Sequence, residues 1–510
     1  MGESIRRRMM FMALVFLLPF VSISCGGDVN FAGGEGTGGT GVGPVTGFAS
    51  VIVNGVKYVD TGIDNTNFFD DRGRNKSGLM AGMMVAISGT INGANGTADN
   101  ITVLRHVDGP MDDNGVNLAT NGLKVMGQDV VVDTSTVFDN VITSLTDLRT
   151  LQGANVNHPE LEVHGSADNS GVIHATFIHK WADDNVAGRD VQVRGTVAGP
   201  PTVATFVIGR KTVDCTGLTG GVVPAGVIAG SFVEVKGSIR VSDNVLLASS
   251  VKLEDATGGQ PSGSKSEVEG YVKRVVTPNA SFELIGPNGI QTVTWTTGTT
   301  SFTGGTGADI GAGVKVEVEG TRKVGGALAA TKIEIRRGSN IIFKTTVINP
   351  QPSSLTLFGV TVKVNALTQY KDSISVNPQK TFGQANILVG NTLEVSAYLD
   401  NSTAPASIIA TRVERIDPIA GTDHILQGLV GNPTVNPTLT ILGVTVTTTA
   451  GGTTFLQADE TPFPGATPVD RQIAFFAAVT PGQTTVKARG QFASGGILAN
   501  EVQIEPTIDN

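Results

Sequence analysis

A 510-residue chain that carries one short pattern six times has few ways to fold, because each copy must close its own small core or share one with a neighbour. Three landmarks recur in fixed order. The first is strand, glycine turn, strand: VIVNGVKYVD at 51–60, LATNGLKVMG at 118–127, FVIGRKTVDC at 206–215, a looser FELIGPNGIQTV at 282–293, LTLFGVTVKV at 355–364 and LTILGVTVTT at 439–448. Alternating apolar residues about a central glycine signal a tight hairpin. The second is an alternating strand closed by a small residue, at Gly89, Gly165, Gly237, Gly320, Ala397 and Gly490. Its period of two turns Val316 and Val318 inward and Glu317 and Glu319 outward, and the closing glycine predicts a bend or bulge. The third is an alanine three residues before a hydrophobic: Ala98/Ile101, Ala175/Ile178, Ala248/Val251, Ala330/Ile333, Ala410/Val413 and Ala499/Val502.

A further strand opens several copies (VRGTV at 193–197, VEGYV at 268–272, LQGLV at 426–430), giving about five strands per unit. The units are 45–112, 113–185, 186–263, 264–340, 341–418 and 419–510. Five short strands in so few residues suit a small antiparallel barrel, since closure removes sheet edges. The expected fold is therefore all-β, a tandem array of about six five-stranded OB-like barrels. A small β-sandwich is the second choice, and strand pairing between units is left open. Glycine (66 residues) with few aromatics (5%) agrees with many turns and few helices.

The first 24 residues read as an export address. Arg6, Arg7 and Arg8 precede the apolar run Phe11 to Val21, which is too short for the ~20 residues of a membrane-spanning helix. Ser22-Ile23-Ser24-Cys25 follows and is similar to a bacterial lipobox, although Ser22 stands where leucine is usual. Cys25 is thus the expected lipidated residue, and the lipid anchor makes the membrane a partner. Gly26 in place of aspartate favours the outer membrane, with the chain facing the periplasm or the surface. Residues 25–44, rich in glycine, read as a flexible tether. Lipidation of Cys25 would leave Cys215 without a partner, as a small buried hydrophobe, so no disulfide framework is expected.

The net charge of −9 without a basic cluster argues against nucleic acid as a partner, because phosphate contacts need clustered Lys and Arg. Enzyme motifs such as G-x-S-x-G, H-E-x-x-H, a phosphate loop or CxxC are absent from the sequence. No enzyme activity and no cofactor are expected.

The stretch GTGGTGVGPVTGFASVIVNGVKY at 36–58 resembles a bacterial repeat domain known only as domain of unknown function 5666. That family's pattern has a glycine-rich lead, VTGFGSV, VNGVRY and a later G-x-x-VxVxG. Here Ala49 replaces a glycine and Lys57 an arginine; the likeness is closest in the first unit, fair in the third and fourth, and weaker in the others. The resemblance implies cell-envelope lipoproteins with an OB-like fold and brings no activity or functional residues.

Histidine is the best metal clue, since four of six lie in the second unit: His158, His164, His174 and His179. His158 and His164 can share a strand face with Glu160 and Glu162, and His158, Glu162, His164 and His174 are the candidate zinc or copper ligands. The alternative is a solvated polar strand face. Asp70-Asp71 with Asn75, and Asp112-Asp113-Asn114-Gly115, are calcium-like in composition but equally suit turns. Trp181 and Trp295 read as core or rim residues. The expected function is a cell-envelope structural or interaction array, with envelope or surface proteins as partners; the alternative is an envelope protein binding a small ligand, glycan or metal.

Overall fold

The computed structural model describes residues 38–48, 50–139, 141–153, 158–183, 190–240, 242–256, 260–401 and 405–506. The expected signal sequence, Cys25 and most of the expected tether lie outside the described residues. In the first unit the strands are β1 (Gly38–Gly47), β2 (Val51–Val53), β3 (Val56–Val59), β4 (Phe68–Phe69), β5 (Met84–Asn92) and β6 (Asn95–Val103). β2 and β3 form a hairpin about Asn54-Gly55, β2 and β5 flank β1, and β5 pairs with β6. A parallel pairing of β3 with β6 closes the circuit, and β4 adds a short parallel rung to β6. The order β1-β2-β3-β6-β5-β1 is an OB-like barrel, antiparallel at every seam but one.

The same strand order recurs behind five more opening strands, Val107–Pro110, Val191–Thr196, Lys265–Thr277, Ile341–Thr346 and His424–Val435, and in the fifth barrel a single hydrogen bond, Ile348 N–H to the Thr356 carbonyl at 3.5 Å, spans the closing side. In the fourth and sixth barrels the circuit closes by full ladders. In the second and third it closes by the single bridges Met111–Val125 and Val197–Ile208. Helices α1 (Leu145–Gly153) and α2 (Pro468–Ala478) fill the link between the third and fourth main strands of barrels 2 and 6. α2 starts on a capping box in which Thr467 and Asp470 satisfy each other's backbone N–H groups.

The landmarks have one physical origin. In all six barrels the closing residue sits at a register shift opposite the landmark alanine: Gly89–Ala98, Gly165–Ala175, Gly237–Ala248, Gly320–Ala330, Ala397–Ala410 and Gly490–Ala499. A Cβ on Gly237 would stand 1.9 Å from the Leu247 carbonyl oxygen, so the partner backbone occupies the side-chain site. The glycine that opens G-x-x-VxVxG has its own task. Gly82, Gly230, Gly313 and Gly390 have φ near +90° and donate their N–H to the carbonyls of Val45, Val197, Val272 and Val347, in or just after the opening strands, at 2.8–3.0 Å.

One repeated feature was not read from the sequence. Thr136, Thr300, Thr368 and Thr453 each donate a hydroxyl to the carbonyl of the landmark alanine, at 2.7–2.9 Å. The signal is one threonine just before the short fourth strand, too sparse to separate from other threonines.

The barrels are joined through their opening strands into three sheets. Barrels 2 and 3 pair antiparallel, as do barrels 5 and 6. Barrel 1 skips its sequence neighbours and pairs parallel with barrel 4. Each seam turns apolar residues into a shared core: Val107 with Val193, Phe343 with Leu426, and Val42 with Val268 beside Met84 and Ala86. Burial of each such side chain contributes about 1.5–3 kcal/mol.

The expected flexible tether is corrected at its end. Residues 38–44 are part of β1, bonded to β5 and to barrel 4. Their glycines reflect crowding: a Cβ on Gly41 or Gly43 would fall 2.2 Å from the side chain of Tyr58 or Asn54.

Candidate functional site at the barrel junctions

The candidate ligands of the second unit lie on the strand Glu160–Ala167 and its neighbours. Glu160, Glu162 and His164 do share a face, but that face is not solvated: all three are 0% exposed. The loop after β4 of barrel 1 covers it. Arg72 Nε donates to Asp108 at 2.7 Å, and its guanidinium reaches Glu160 at 2.5 Å. Arg74 binds Asp70 at 2.6 Å and also bonds Glu162. Arg105, 1% exposed, bonds Asp70 and lies 3.2 Å from Glu162. Trp181 is a rim residue: its indole N–H donates to Glu162 at 3.0 Å, with Arg72 and Arg74 over its ring at 5.2 and 5.3 Å. Barrel 3 joins through Lys236, 2.9 Å from Asp71, and within barrel 3 the buried Arg194 is paired with Glu234.

The protonation states follow from geometry. His164 Nδ1 accepts the Met84 N–H at 3.1 Å and Nε2 faces Glu162 at 2.6 Å. Nδ1 therefore carries no proton, Nε2 donates, and the imidazole is neutral, in line with the lowering that burial imposes on it. Burial alone would raise the Glu162 carboxyl, but the His164 hydrogen bond with Arg105 and Arg74 outweighs it and holds Glu162 well below the usual carboxylate range. With both ring nitrogens engaged, His164 has no lone pair for a metal. His158 lies before the strand with Nδ1 on the Met111 carbonyl, and His174 is on the next strand beside Asp168 at 3.1 Å. The structure thus brings Glu162 and His164 together and leaves His158 and His174 elsewhere. Among the described residues no group of three or more His, Cys, Asp or Glu is arranged to hold a metal ion.

The calcium-like segments do structural work. Asp70 is inside the ion-pair network, Asn75 caps a 3-10 turn, and Asp112 accepts the Gly127 N–H at 2.8 Å. Trp295 is a core residue of barrel 4. A cavity of about 730 Å³ lies where barrels 1, 2, 4 and 5 meet, lined among others by Asp168, His174, Tyr271, Lys315, Arg336 and Tyr398. His174 stacks on Tyr271 with ring centroids 4.4 Å apart.

Repeated OB-like barrels fused edge to edge define the class: an all-β repeat protein whose charged residues lock barrels together. The profile of the family "Domain of unknown function (DUF5666)" matches residues 108–179, 194–252, 269–334 and 345–414, more than half of the chain. The chain belongs to that family. The matched stretches fall in barrels 2 to 5, and barrel 1, where the sequence likeness is closest, has the same strand circuit. A search of curated proteins finds no match. Among solved structures, one titled "drosophila Unr CSD456" is similar at 14% identity over 46% of this chain and 100% of that one, with a TM-score of 0.11.

Proposed function

We propose that the protein is an exported cell-envelope lipoprotein, anchored through Cys25, whose barrels act as one preassembled structural or interaction body. The observation that supports this reading is the joining of barrels through their opening strands, backed by ion pairs on the buried carboxylates between barrels 1 and 2 and by the more open Lys236–Asp71 pair to barrel 3. Such joints hold several binding faces in fixed relation, so weak contacts at each can add up. Envelope or surface proteins are the partners we favour over nucleic acid, given the acidic balance. We assign no enzymatic step. The test is protease treatment of intact cells beside a Cys25→Ser variant. Digestion of the barrels in intact cells would support a surface role, and protection a periplasmic one. Retention of Cys25→Ser in the membrane fraction would refute the lipid anchor.

A second reading, a small neutral ligand such as a glycan segment, draws on the 730 Å³ cavity and its stacked His174–Tyr271 pair. Titration with short glycans, watching the His174 ring protons by NMR, tests it; no shift at millimolar glycan would refute it.

A further inference from the structure

The outward face of barrel 4, where it meets barrel 1, holds more carboxylates than its buried cations answer. Cross-strand pairing sets Glu267 opposite Glu319 and Glu269 opposite Glu317. The next strand sets Lys332 opposite Glu319 and Glu334 opposite Glu317. Glu269 is answered by Lys315 at 2.9 Å and Arg336 at 3.8 Å. Glu317 is 1% exposed; Arg336 and Lys332 stand 3.8 and 3.9 Å away, beyond hydrogen-bond reach, and neither of its oxygens has a hydrogen-bond partner. Glu267 is 2% exposed, leans on Glu319, and has one unpartnered oxygen. From barrel 1 the buried hydroxyl of Tyr58 lies over Gly41, also without a partner, and feels the charges of Glu267 and Glu317. Gly41 is the ladder partner of Glu267, so Glu267 sits on the seam itself, and Glu317 lies one strand further into barrel 4.

An ionised carboxylate buried without partners costs several kcal/mol, and the cheaper state is the neutral acid. A proton also supplies the donor that two facing carboxyls need. Lys315, Lys332 and Arg336 are three cations among the five carboxylates Glu267, Glu269, Glu317, Glu319 and Glu334, so protons are the means by which the remaining charge is neutralised. We propose that the seam between barrels 1 and 4 is a proton-dependent latch, closed while Glu267 and Glu317 retain their protons and loosened when those protons leave.

Burial, reinforced by the charges of Glu317 and Glu319, pushes Glu267 up to about 9. Burial pushes Glu317 up to about 7 against the pull of Arg336 and Lys332. In an opened seam both would return toward the ordinary 4.5. The stabilisation is therefore full below that value and is lost as pH rises, first through about 7 and then toward about 9. Over that window each proton shifts the opening equilibrium by up to about tenfold per pH unit.

The test is amide hydrogen exchange on the full chain at several pH values from 6 to 9.5, corrected for intrinsic rates. Protection in Gly38–Gly47 and Lys265–Thr277 should fall at least tenfold. The seam of barrels 5 and 6, where Lys344 stands opposite Ile425 and is paired with Glu394 of its own barrel at 3.3 Å, serves as the internal control and should hold. A Glu267→Gln/Glu317→Gln variant, neutral at every pH, should keep its protection. Should that pair of changes impair folding, Glu267→Gln alone should remove the loss above about pH 7 and leave the rest. Constant wild-type protection, an equal fall in the control seam, or a variant that titrates like wild type would each overturn the latch.

Discussion

The hydroxyl of Tyr58 lies over Gly41: a Cβ built on that glycine would stand 2.2 Å from the phenolic oxygen and 2.9 Å from the ring carbon bearing it. On the ring's other edge, a Cβ on Gly96 would come within 2.9 Å of Tyr58 Cδ1. The glycine-rich lead and the tyrosine of VNGVKY are thus two halves of one fit. Gly41→Ala should lower stability by about 1–3 kcal/mol, the usual cost of overpacking. Tyr58→Phe in the same chain removes the shorter contact and should restore part of it. Urea unfolding measures both, and an unchanged midpoint for Gly41→Ala would mean that this strand is not seated as described.

At the bulges, the close approach is to backbone, which cannot rotate away. Gly320→Ala puts a methyl 2.4 Å from the Ala329 carbonyl oxygen and should cost about 1–3 kcal/mol. Barrel 5 already carries Ala397 at the matching position, so Ala397→Gly should cost only about 1 kcal/mol. Equal losses for the two variants in thermal unfolding would remove the steric account of the landmark.

The ion-pair network is sensitive to losing one member. Arg105→Met leaves Asp70 and Glu162 buried without that cation, for an expected loss of about 3–5 kcal/mol. Arg240→Met, which loses the solvent-exposed partner Asp243 and also Asp214, should leave the unfolding midpoint close to wild type. Similar effects of the two in urea unfolding would show that burial is not what makes the Arg105 contacts matter.

Cys215 is fully buried in the shared core of barrels 2 and 3, and burial pushes its thiol up to about 11. Since the thiolate is the nucleophile, a maleimide at neutral pH should not modify it in the folded protein and should do so on unfolding. Stoichiometric labelling of Cys215 in folded protein, followed by mass spectrometry, would contradict this placement.

Local chemistry carried the repeat. Gly165 and Ala175 are legible because a bulge needs a residue without a side chain, and the same is true of Gly320 and Ala330. Val316 and Val318 point into a core as alternation requires. The same alternation turned Glu162, His164 and Glu317 outward, and outward was read as wet; it meant facing another barrel. Trp181 gave no sign of its arginine partners, which arrive from a loop a hundred residues earlier.

By itself the amino-acid sequence determined six small β units, their turns and bulges, and the membership of Val, Ile and Leu in their cores, because those rest on backbone sterics and on periodicity within a few residues. Only the tertiary structure decided that barrel 1 pairs with barrel 4 rather than barrel 2, that residues 38–44 are strand and not tether, and that the charged faces are interior. The edges of opening strands offer the same N–H and C=O groups in every barrel. Which two edges meet depends on side-chain packing and buried charge contributed by residues far apart in the chain, such as Asp70, Arg105 and Glu162, and no local pattern encodes that sum.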